Sequence, residues 1–257
     1  MITDTQVLSY YFKGAMALPN ELIRISSVTA SEFLLIQSKE FSRANYYPIL
    51  PSRFNHLGAS LGVMGQASSI FDSKRHAAQG KHRTDQLILE FGNNAPTHIE
   101  FGSVAITQII NQRRPEIYSA SISHLDKKHQ KKLTAKFRFL METGVSCVAI
   151  TADVASIGMN LLGSFMDKYQ PKENKRNTIN DVLILATAIS MEAELLTNDN
   201  LLARFAAEMM AAPVAPQNGG IRIDFSSPTT AGRRKPLESK GFINRGWQIR
   251  ERRGRRQ

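Results

Sequence analysis

The sequence predicts an α/β fold with a mostly parallel sheet. Three short apolar segments compatible with β-structure, residues 1–4, 22–28 and 145–151, each lead into a segment that favours a helix. A fourth such segment, residues 194–197, follows a long helix-forming stretch over residues 178–191. Strands that alternate with helices along the chain are typical of parallel α/β sheets.

Size and composition indicate a soluble intracellular protein. With 257 residues, of which 42% are hydrophobic, the chain can bury one large core, with or without an appendage. It has no apolar run long enough for a membrane span, and its N-terminus lacks the basic and apolar regions of a secretory signal. Because Cys147 is the single cysteine, no internal disulfide can form, and we expect a cytoplasmic location. Within the apolar segment 145–151, Cys147 is expected to be a buried hydrophobic residue rather than a reactive thiol.

The net charge of +11 is concentrated near the C-terminus. Residues 233–257 contain ten of the 33 Lys and Arg residues and carry a charge of +8. A basic tail of this kind can bind phosphates, and the residues singled out for nucleic-acid binding are Arg233, Arg234, Lys235, Arg252, Arg253, Arg255 and Arg256. The alternative is a solvated, disordered terminus with no such contact. A protein partner for the tail is a further alternative.

We expect a main domain over residues 1–212, with residues 213–257 forming an edge strand (219–225), a linker and the basic tail. The middle of the main domain, residues 41–145, is predicted to be mainly helical, with helices over 98–111 and 124–142. One side of the second helix is basic through Lys127, Lys128, Lys131 and Lys132. Such a side suits a nucleic-acid backbone, although most helices with this pattern are ordinary amphipathic surface helices.

Four acidic residues are predicted to gather at one edge of the sheet. Asp4 and Asp199 come at the carboxyl ends of strands, while Glu32 and Asp181, each three residues after a threonine, are predicted in the first turn of a helix. Each acid alone could simply cap a helix. In a parallel sheet, however, strand carboxyl ends and the starts of the following helices share an edge. Clustered carboxylates need compensating cations, and oxygen ligands without His or Cys favour Mg²⁺ or Mn²⁺.

The segments around these acids resemble the motifs of the PIN-domain nuclease family. Residues 4–8 (DTQVL) look like the family's opening D-T/S-N-x-L motif, with Gln6 in place of the frequent Asn. Residues 27–32 (SVTASE) are similar to the strand-to-helix segment that ends in Glu. Residues 181–188 (DVLILATA) and 196–199 (LTND) resemble the D-x-x-I-x-A-x-A helix and the closing L-T-x-D motif. The resemblance covers residues 1–40 and about 145–212, and the middle segment is longer than in compact members.

The resemblance implies a three-layer α/β/α sandwich with a helical insertion and an endoribonuclease that hydrolyses RNA phosphodiesters with a metal ion. The implied ligands for Mg²⁺ or Mn²⁺ are Asp4, Asp181, Asp199 and, directly or through water, Glu32. The side chains expected to orient these carboxylates belong to Thr5, Thr197 and Asn198. Many members of the family are toxins held by an antitoxin, and many dimerise. An antitoxin or regulatory protein and a second copy of the chain are therefore expected partners beside RNA.

Two alternatives belong to other functional classes. A DNA-directed nuclease of the flap or 5′-nuclease type would use a similar edge of carboxylates. A non-catalytic nucleic-acid-binding adaptor would use the fold and the basic tail without chemistry. The presence of all four acids favours a nuclease over the adaptor, since an adaptor has no need of a cluster of like charges.

Overall fold

The structure, a computed structural model, describes residues 1–37, 45–50, 86–91, 98–101, 103–170, 175–217, 219–226 and 247–252. Its strands are β1 (Ile2–Thr3), β2 (Arg24–Ser26), β3 (Ile36–Gln37), β4 (Asn45–Tyr46), β5 (Gln86–Phe91), β6 (His98–Phe101), β7 (Ser146–Val148), β8 (Leu195–Thr197), β9 (Val214–Gln217), β10 (Gly220–Ile223) and β11 (Trp247–Arg252). Its helices are α1 (Thr5–Phe12), α2 (Ser27–Phe33), α3 (Ser103–Asn111), α4 (Pro115–Ile122), α5 (Lys127–Glu142), α6 (Ala152–Lys168), α7 (Lys175–Ser190) and α8 (Asn200–Met210). Over the residues described, none of these helices combines the length and the hydropathy of a membrane span.

The main sheet has six strands in the order β7-β2-β1-β8-β10-β9. The first four strands are parallel, and β10 and β9 extend the sheet in antiparallel fashion. The predicted α/β class with a mostly parallel sheet is therefore confirmed. At its centre, Ile2 of β1 lies opposite Leu195 of β8. This register brings the carboxyl ends of β1 and β8 side by side, which is where the chain continues into Asp4 and Asp199.

Short polar side chains determine where several helices begin. Each accepts a backbone N–H of the first turn and so satisfies a donor that the helix itself leaves unpaired. The residues in this role are Asp4 before α1, Ser26 before α2, Thr151 before α6 and Asp199 before α8. Because both Asp4 and Asp199 cap a helix directly after a strand, each strand end is a sharp turn that holds its carboxylate in place.

Two hydrophobic clusters pack against the main sheet. One joins α6, α7 and α8 to Ile2 and Leu195, and the other joins α1 to α5 with Ile25 and Leu196. Adjacent residues of a strand point to opposite faces, so Leu195 and Leu196 connect β8 to different clusters. Burial of these side chains fixes the central strands although each is only two or three residues long.

The lone cysteine belongs to the second cluster. Cys147 is buried, and burial raises the pKa of its thiol to about 12. Its backbone N–H donates to Oδ1 of Asn111 at 2.7 Å, and its carbonyl accepts from Nδ2 of the same residue at 2.8 Å. A thiol in this environment stays protonated near neutral pH and acts as a small hydrophobic group, as the sequence predicts.

In the described part of the middle segment, the helices α3, α4 and α5 are accompanied by short strands that the sequence did not predict. Residues 98–101, expected at the start of a helix, form β6, which pairs with β5 in the antiparallel sheet β11-β5-β6, and the helix begins only at Ser103. The alternating sequence His98-Ile99-Glu100-Phe101 suits a strand, and pairing with β5 decides between the two structures. The second predicted helix is present as α5, and the remaining expectations for residues 51–85 lie outside the described residues.

The C-terminal part differs from the prediction in two places. The predicted edge strand is β10, but it lies between β8 and β9, and β9 forms the edge of the sheet. Pro216 suits that edge because proline cannot donate a hydrogen bond to a further strand. In the tail, Trp247–Arg252 is the strand β11 rather than a disordered segment, since its backbone pairs with β5. Among the basic residues predicted to bind nucleic acid, Arg252 lies in β11, and those outside the described residues are Arg233, Arg234, Lys235, Arg253, Arg255 and Arg256.

Candidate functional site

A cavity of about 570 Å³ opens at the carboxyl ends of β1 and β8. The four acids singled out from the sequence all line it: Asp4, Glu32, Asp181 and Asp199. They come from four separate segments, and parallel pairing of β1 and β8 together with packing of α2 and α7 brings them to one place. The expected gathering of carboxylates at one sheet edge is therefore present in the geometry.

Asp4 is the most enclosed of these acids, with only 7% of its surface exposed. Its Oδ1 accepts the backbone N–H of Gln6 at 3.3 Å, and its Oδ2 accepts the hydroxyl of Thr197 at 2.6 Å. Burial raises the pKa of the Asp4 carboxyl and the negative charge of Asp199 raises it further, while these hydrogen bonds lower it. The site thus holds a largely buried carboxyl group close to a second one, which disfavours the charged form of Asp4.

Asp199 is held by the start of α8. Its Oδ1 accepts the backbone N–H groups of Leu201 and Leu202 at 2.8 and 3.0 Å. Its own N–H donates to the hydroxyl oxygen of Thr197 at 3.0 Å. Thr197 therefore contacts both acids, and this is the orienting contact expected of it from the sequence.

Asn198, the other residue of this turn expected to orient a carboxylate, lies against β10. A methyl group added at Gly220 would stand 3.1 Å from Asn198 Oδ1 and 3.3 Å from the Thr197 carbonyl. Glycine at this position allows β10 to approach β8 closely. The Oδ1 of Asn198 thus lies beside the backbone of β10, and its role in orienting a carboxylate stays a prediction.

The position of Glu32 differs from the prediction. α2 begins at Ser27, three residues earlier than expected, and Glu32 lies in the last turn of the helix rather than the first. The predicted capping box is absent, because the N–H of Thr29 donates to Ser26 Oγ at 3.0 Å. Glu32 instead accepts the hydroxyl of Thr5 at 2.5 Å, which fits the orienting role expected of Thr5, and the side-chain amide of Asn180. Burial raises the pKa of Glu32, and the charge of Asp4 also raises it.

Asp181 also lies one turn further into its helix than predicted. α7 begins at Lys175, so Asp181 is in its second turn and does not complete a capping box with Thr178. The additional turn arises because residues 175–177 are compatible with a helix and continue it upstream. Asp181 nevertheless borders the cavity, since the side of α7 that carries it faces the ends of the strands.

Asn180 is a residue of the site that the sequence analysis missed. It is 1% exposed, its Nδ2 donates to Glu32, and its Oδ1 finds no hydrogen-bond partner among the described residues. A buried amide oxygen without a hydrogen-bond partner is costly, and such an oxygen is suited to accept a hydrogen bond or to ligate a cation. The signal in the sequence was a polar residue beside Ile179 and Val182, on the apolar side of a helix.

The cavity has two cationic residues on its rim, Lys13 at the end of α1 and Arg176 at the start of α7. Both are exposed, and the positive charge of Arg176 lowers the pKa of Glu32. No pattern in the sequence predicts either residue. The lysines predicted to bind nucleic acid are exposed on α5 and do not line the cavity: Lys127, Lys128, Lys131 and Lys132.

Divalent cations match the donor chemistry of the cavity. In the described part of the chain, no group of three or more His, Cys, Asp or Glu side chains is arranged to hold a metal ion by itself. The donors that line the cavity are nevertheless oxygen atoms of carboxylates, joined by the unpartnered Oδ1 of Asn180. Oxygen donors of this kind suit Mg²⁺ or Mn²⁺, and a cation would compensate the buried charges.

Comparisons with protein-family models, with characterised proteins and with solved structures returned no match.

Proposed function

We propose that this chain is a metal-dependent endoribonuclease of the PIN type, with Asp4, Glu32, Asp181 and Asp199 as its active-site carboxylates. The observation that supports it is the gathering of these four acids around one cavity at the carboxyl edge of a parallel sheet. Each acid comes from one of the four segments that resemble the family's motifs. Among the described residues that line the cavity, these four are the acidic ones.

The proposal includes the three-layer arrangement of the family. The two hydrophobic clusters support it, because Leu195 and Leu196 of the central strand β8 belong to different clusters. Helices α6 to α8 would then form one outer layer and α1 to α5 the other. In this arrangement the cavity lies at the end of the sheet where ligands of open α/β sheets bind.

In the proposed mechanism, Asp4, Asp181 and Asp199 would hold Mg²⁺ or Mn²⁺, with Glu32 completing the site directly or through water. When bound, such an ion would supply an activated water for hydrolysis of a phosphodiester and positive charge beside the leaving oxygen. Thr197 keeps Asp4 and Asp199 in a fixed relation through its two hydrogen bonds. Thr5 and Asn180 hold both oxygens of Glu32, so this side chain cannot rotate away from the cavity.

Digestion of nucleic acid by the purified full-length chain tests the proposal. We expect total RNA to be cut internally in Mg²⁺ or Mn²⁺ and to stay intact in EDTA, and mapping of the ends would identify the preferred sites. Single-stranded and flap DNA are included in parallel. Faster cutting of DNA would favour the DNA-directed alternative, and binding of RNA without cutting in either metal would favour the adaptor.

The partners implied by the family belong to the same proposal. A toxin-type enzyme would be inhibited by an antitoxin that covers the cavity. A second copy of the chain would complete an RNA-binding surface. Co-purification of the chain from its native cells, followed by light scattering, tests both. A monomer without a bound protein would remove them while leaving the nuclease proposal in place.

A further inference from the structure

One side of α1 forms a wall of the cavity. Gln6, Ser9, Tyr10 and Lys13 all line the cavity, and their spacing of three, four and seven residues puts them on a single side of the helix. The opposite side is fixed in the core by Val7, Leu8 and Tyr11, which are buried. This packing leaves α1 no freedom to turn, so the polar side is held over the cavity.

This wall combines an aromatic ring with a cation. Tyr10 is half-buried, and its hydroxyl accepts a hydrogen bond from Nε2 of Gln6 at 3.0 Å, which restrains the ring at the rim. Lys13 follows three residues later and is exposed. Single-stranded nucleic acids are bound by this combination, in which bases stack on aromatic rings and cations follow the phosphates.

The separation between Lys13 and Asp4 suits a nucleotide next to the one that reacts. Nine residues separate Asp4 from Lys13, which at 1.5 Å per residue is about 13 Å along the helix. Lys13 is therefore too far along α1 to neutralise Asp4. It can instead bind a phosphate one or two nucleotides away from the phosphodiester that lies over the acids.

Further basic residues, on α5, lie beyond Lys13 and could bind the next phosphates of the strand. Lys136 of α5 donates to the carbonyls of Phe33 and Leu35 at the end of α2, at 2.5 and 3.1 Å. Burial lowers the pKa of Lys136 to about 8, and the positive charges of Lys132 and Lys13 lower it further. Phe12 at the end of α1 packs edge-on against Phe139 of α5, with ring centroids 5.4 Å apart, so the end of α1 next to Lys13 lies beside α5. On α5, Lys128 and Lys132 lie four residues apart on the same side as Lys136.

We propose that Tyr10 and Lys13 form a subsite for the single-stranded RNA that flanks the cleaved bond, in which Tyr10 stacks on a base, Lys13 binds a phosphate and the strand continues to Lys132. This inference rests on the proposed ribonuclease function and names the residues of this chain that hold the strand beside the cleaved bond. It also selects among the α5 lysines. Lys132 lies on the path, whereas Lys127 is about 140° away around the helix, since five residues cover about 1.4 turns.

Binding of a short, labelled single-stranded RNA tests the subsite, measured by fluorescence polarisation over a series of salt concentrations. The full-length chain carries Asp199→Asn so that the RNA stays intact, and Mg²⁺ is present throughout. We expect Lys13→Gln and Lys132→Gln each to weaken binding several-fold and to reduce the slope of log K against log[salt] by about 0.7. Tyr10→Ala should weaken binding about tenfold at an unchanged slope, whereas Tyr10→Phe, which keeps the ring, should bind nearly as the parent does.

The matched control is Lys127→Gln, which removes the same charge from the same helix and should leave affinity and slope unchanged. Thermal melts verify that each variant is folded. Equal affinity and slope for the parent, Lys13→Gln and Tyr10→Ala would overturn the subsite, and so would an equal loss in Lys127→Gln and Lys132→Gln. These results are separable from the proposed function, because RNA cleavage by the unmodified chain is measured independently. If the unmodified chain cleaves RNA but the variants bind RNA as the parent does, the subsite is ruled out and the nuclease proposal stays. If the variants show the expected losses of binding but the unmodified chain does not cleave RNA, the nuclease proposal is ruled out and the subsite stays.

Discussion

The hydroxyl of Thr197 donates a 2.6 Å hydrogen bond to Oδ2 of Asp4, a residue 193 positions away in the chain. The same hydroxyl oxygen accepts the backbone N–H of Asp199 at 3.0 Å. The ends of β1 and β8 are thereby joined by a single buried side chain. The relative placement of two of the four acids depends on this residue.

Thr197→Val should therefore lower nuclease activity by about 10- to 100-fold, the usual effect of losing a group that orients a metal ligand. Valine preserves the shape of the side chain and removes only the hydroxyl. Loss of the donor should also raise the pKa of Asp4 further and move the acidic limb of the activity–pH profile upward. The control is Thr187→Val, which removes a buried hydroxyl that bonds Leu183 within α7. If both variants cut RNA at the same rate, Thr197 has no role in orienting the acids.

The raised pKa values of Asp4 and Glu32 predict how stability depends on pH when no metal is bound. The folded state holds a proton on these carboxyls more tightly than the unfolded state does. Their contribution to the free energy of unfolding is thus most favourable at low pH and is lost as pH rises through the raised values. In EDTA, Asp4→Asn should be as stable as the unmodified chain or more stable near pH 7, and the difference should shrink towards pH 4.

Asparagine also caps helices well, so this variant keeps the start of α1. Urea denaturation at a series of pH values measures the effect, with the exposed Asp167→Asn as control. Parallel pH profiles for Asp4→Asn and the unmodified chain would show that burial of Asp4 has no cost. Added Mg²⁺ should stabilise the unmodified chain more than Asp4→Asn, because only the former keeps every ligand.

Glu32→Gln should lower activity by at least tenfold with little change in stability. Glutamine retains one oxygen that can accept from Thr5 or Asn180, but it loses the charge that a metal ion requires. Steady-state kinetics and thermal melts measure the two effects. Cleavage at the unmodified rate would reduce the site to three acids and would leave Glu32 with a structural role at the end of α2.

The basic tail is expected to strengthen RNA binding without taking part in chemistry. Removing the whole tail would also delete β11, which pairs with β5, so the sharper change is Arg253→Gln with Arg255→Gln and Arg256→Gln. If each arginine binds a phosphate, the salt slope of RNA binding should fall by about 2, while cleavage at saturating RNA persists. An unchanged slope would indicate a protein partner for the tail, and loss of turnover at saturation would make the tail part of the active site.

The sequence predicts the positions of the central strands, but it does not predict the residues at which α2 and α7 begin. The four parallel strands lie within predicted segments because short apolar runs beside turn residues define them locally. Glu32 and Asp181 were assigned to the correct helices but the wrong turns, since Ser26 caps α2 and residues 175–177 extend α7. A cap is chosen by competition among neighbouring polar residues, which spacing alone does not settle.

Lys13 and Arg176 could not be identified from the sequence, and Asn180 stands out there only as a polar residue on the apolar side of a helix. Their importance comes from the packing of α1, α2 and α7 around one cavity, and no local pattern encodes that packing. Pairing of β11 with β5 joins segments more than a hundred residues apart and was missed for the same reason. Only the folded structure shows that Nδ2 of Asn180 donates to Glu32 while its Oδ1 has no hydrogen-bond partner among the described residues.

The rate at which the chain cleaves a labelled single-stranded RNA, measured while Mg²⁺ is titrated, shows whether the four carboxylates form a metal-dependent nuclease site. The comparison is between the unmodified chain, Asp4→Asn, Asp181→Asn, Asp199→Asn and the exposed control Asp167→Asn. We expect the unmodified chain and the control to cut at the same Mg²⁺-dependent rate, and the other three to lose activity by orders of magnitude while melting as folded proteins. A folded Asp199→Asn variant that cuts RNA at the unmodified rate would contradict the proposed nuclease site. Cleavage that persists in EDTA would contradict its dependence on a metal ion.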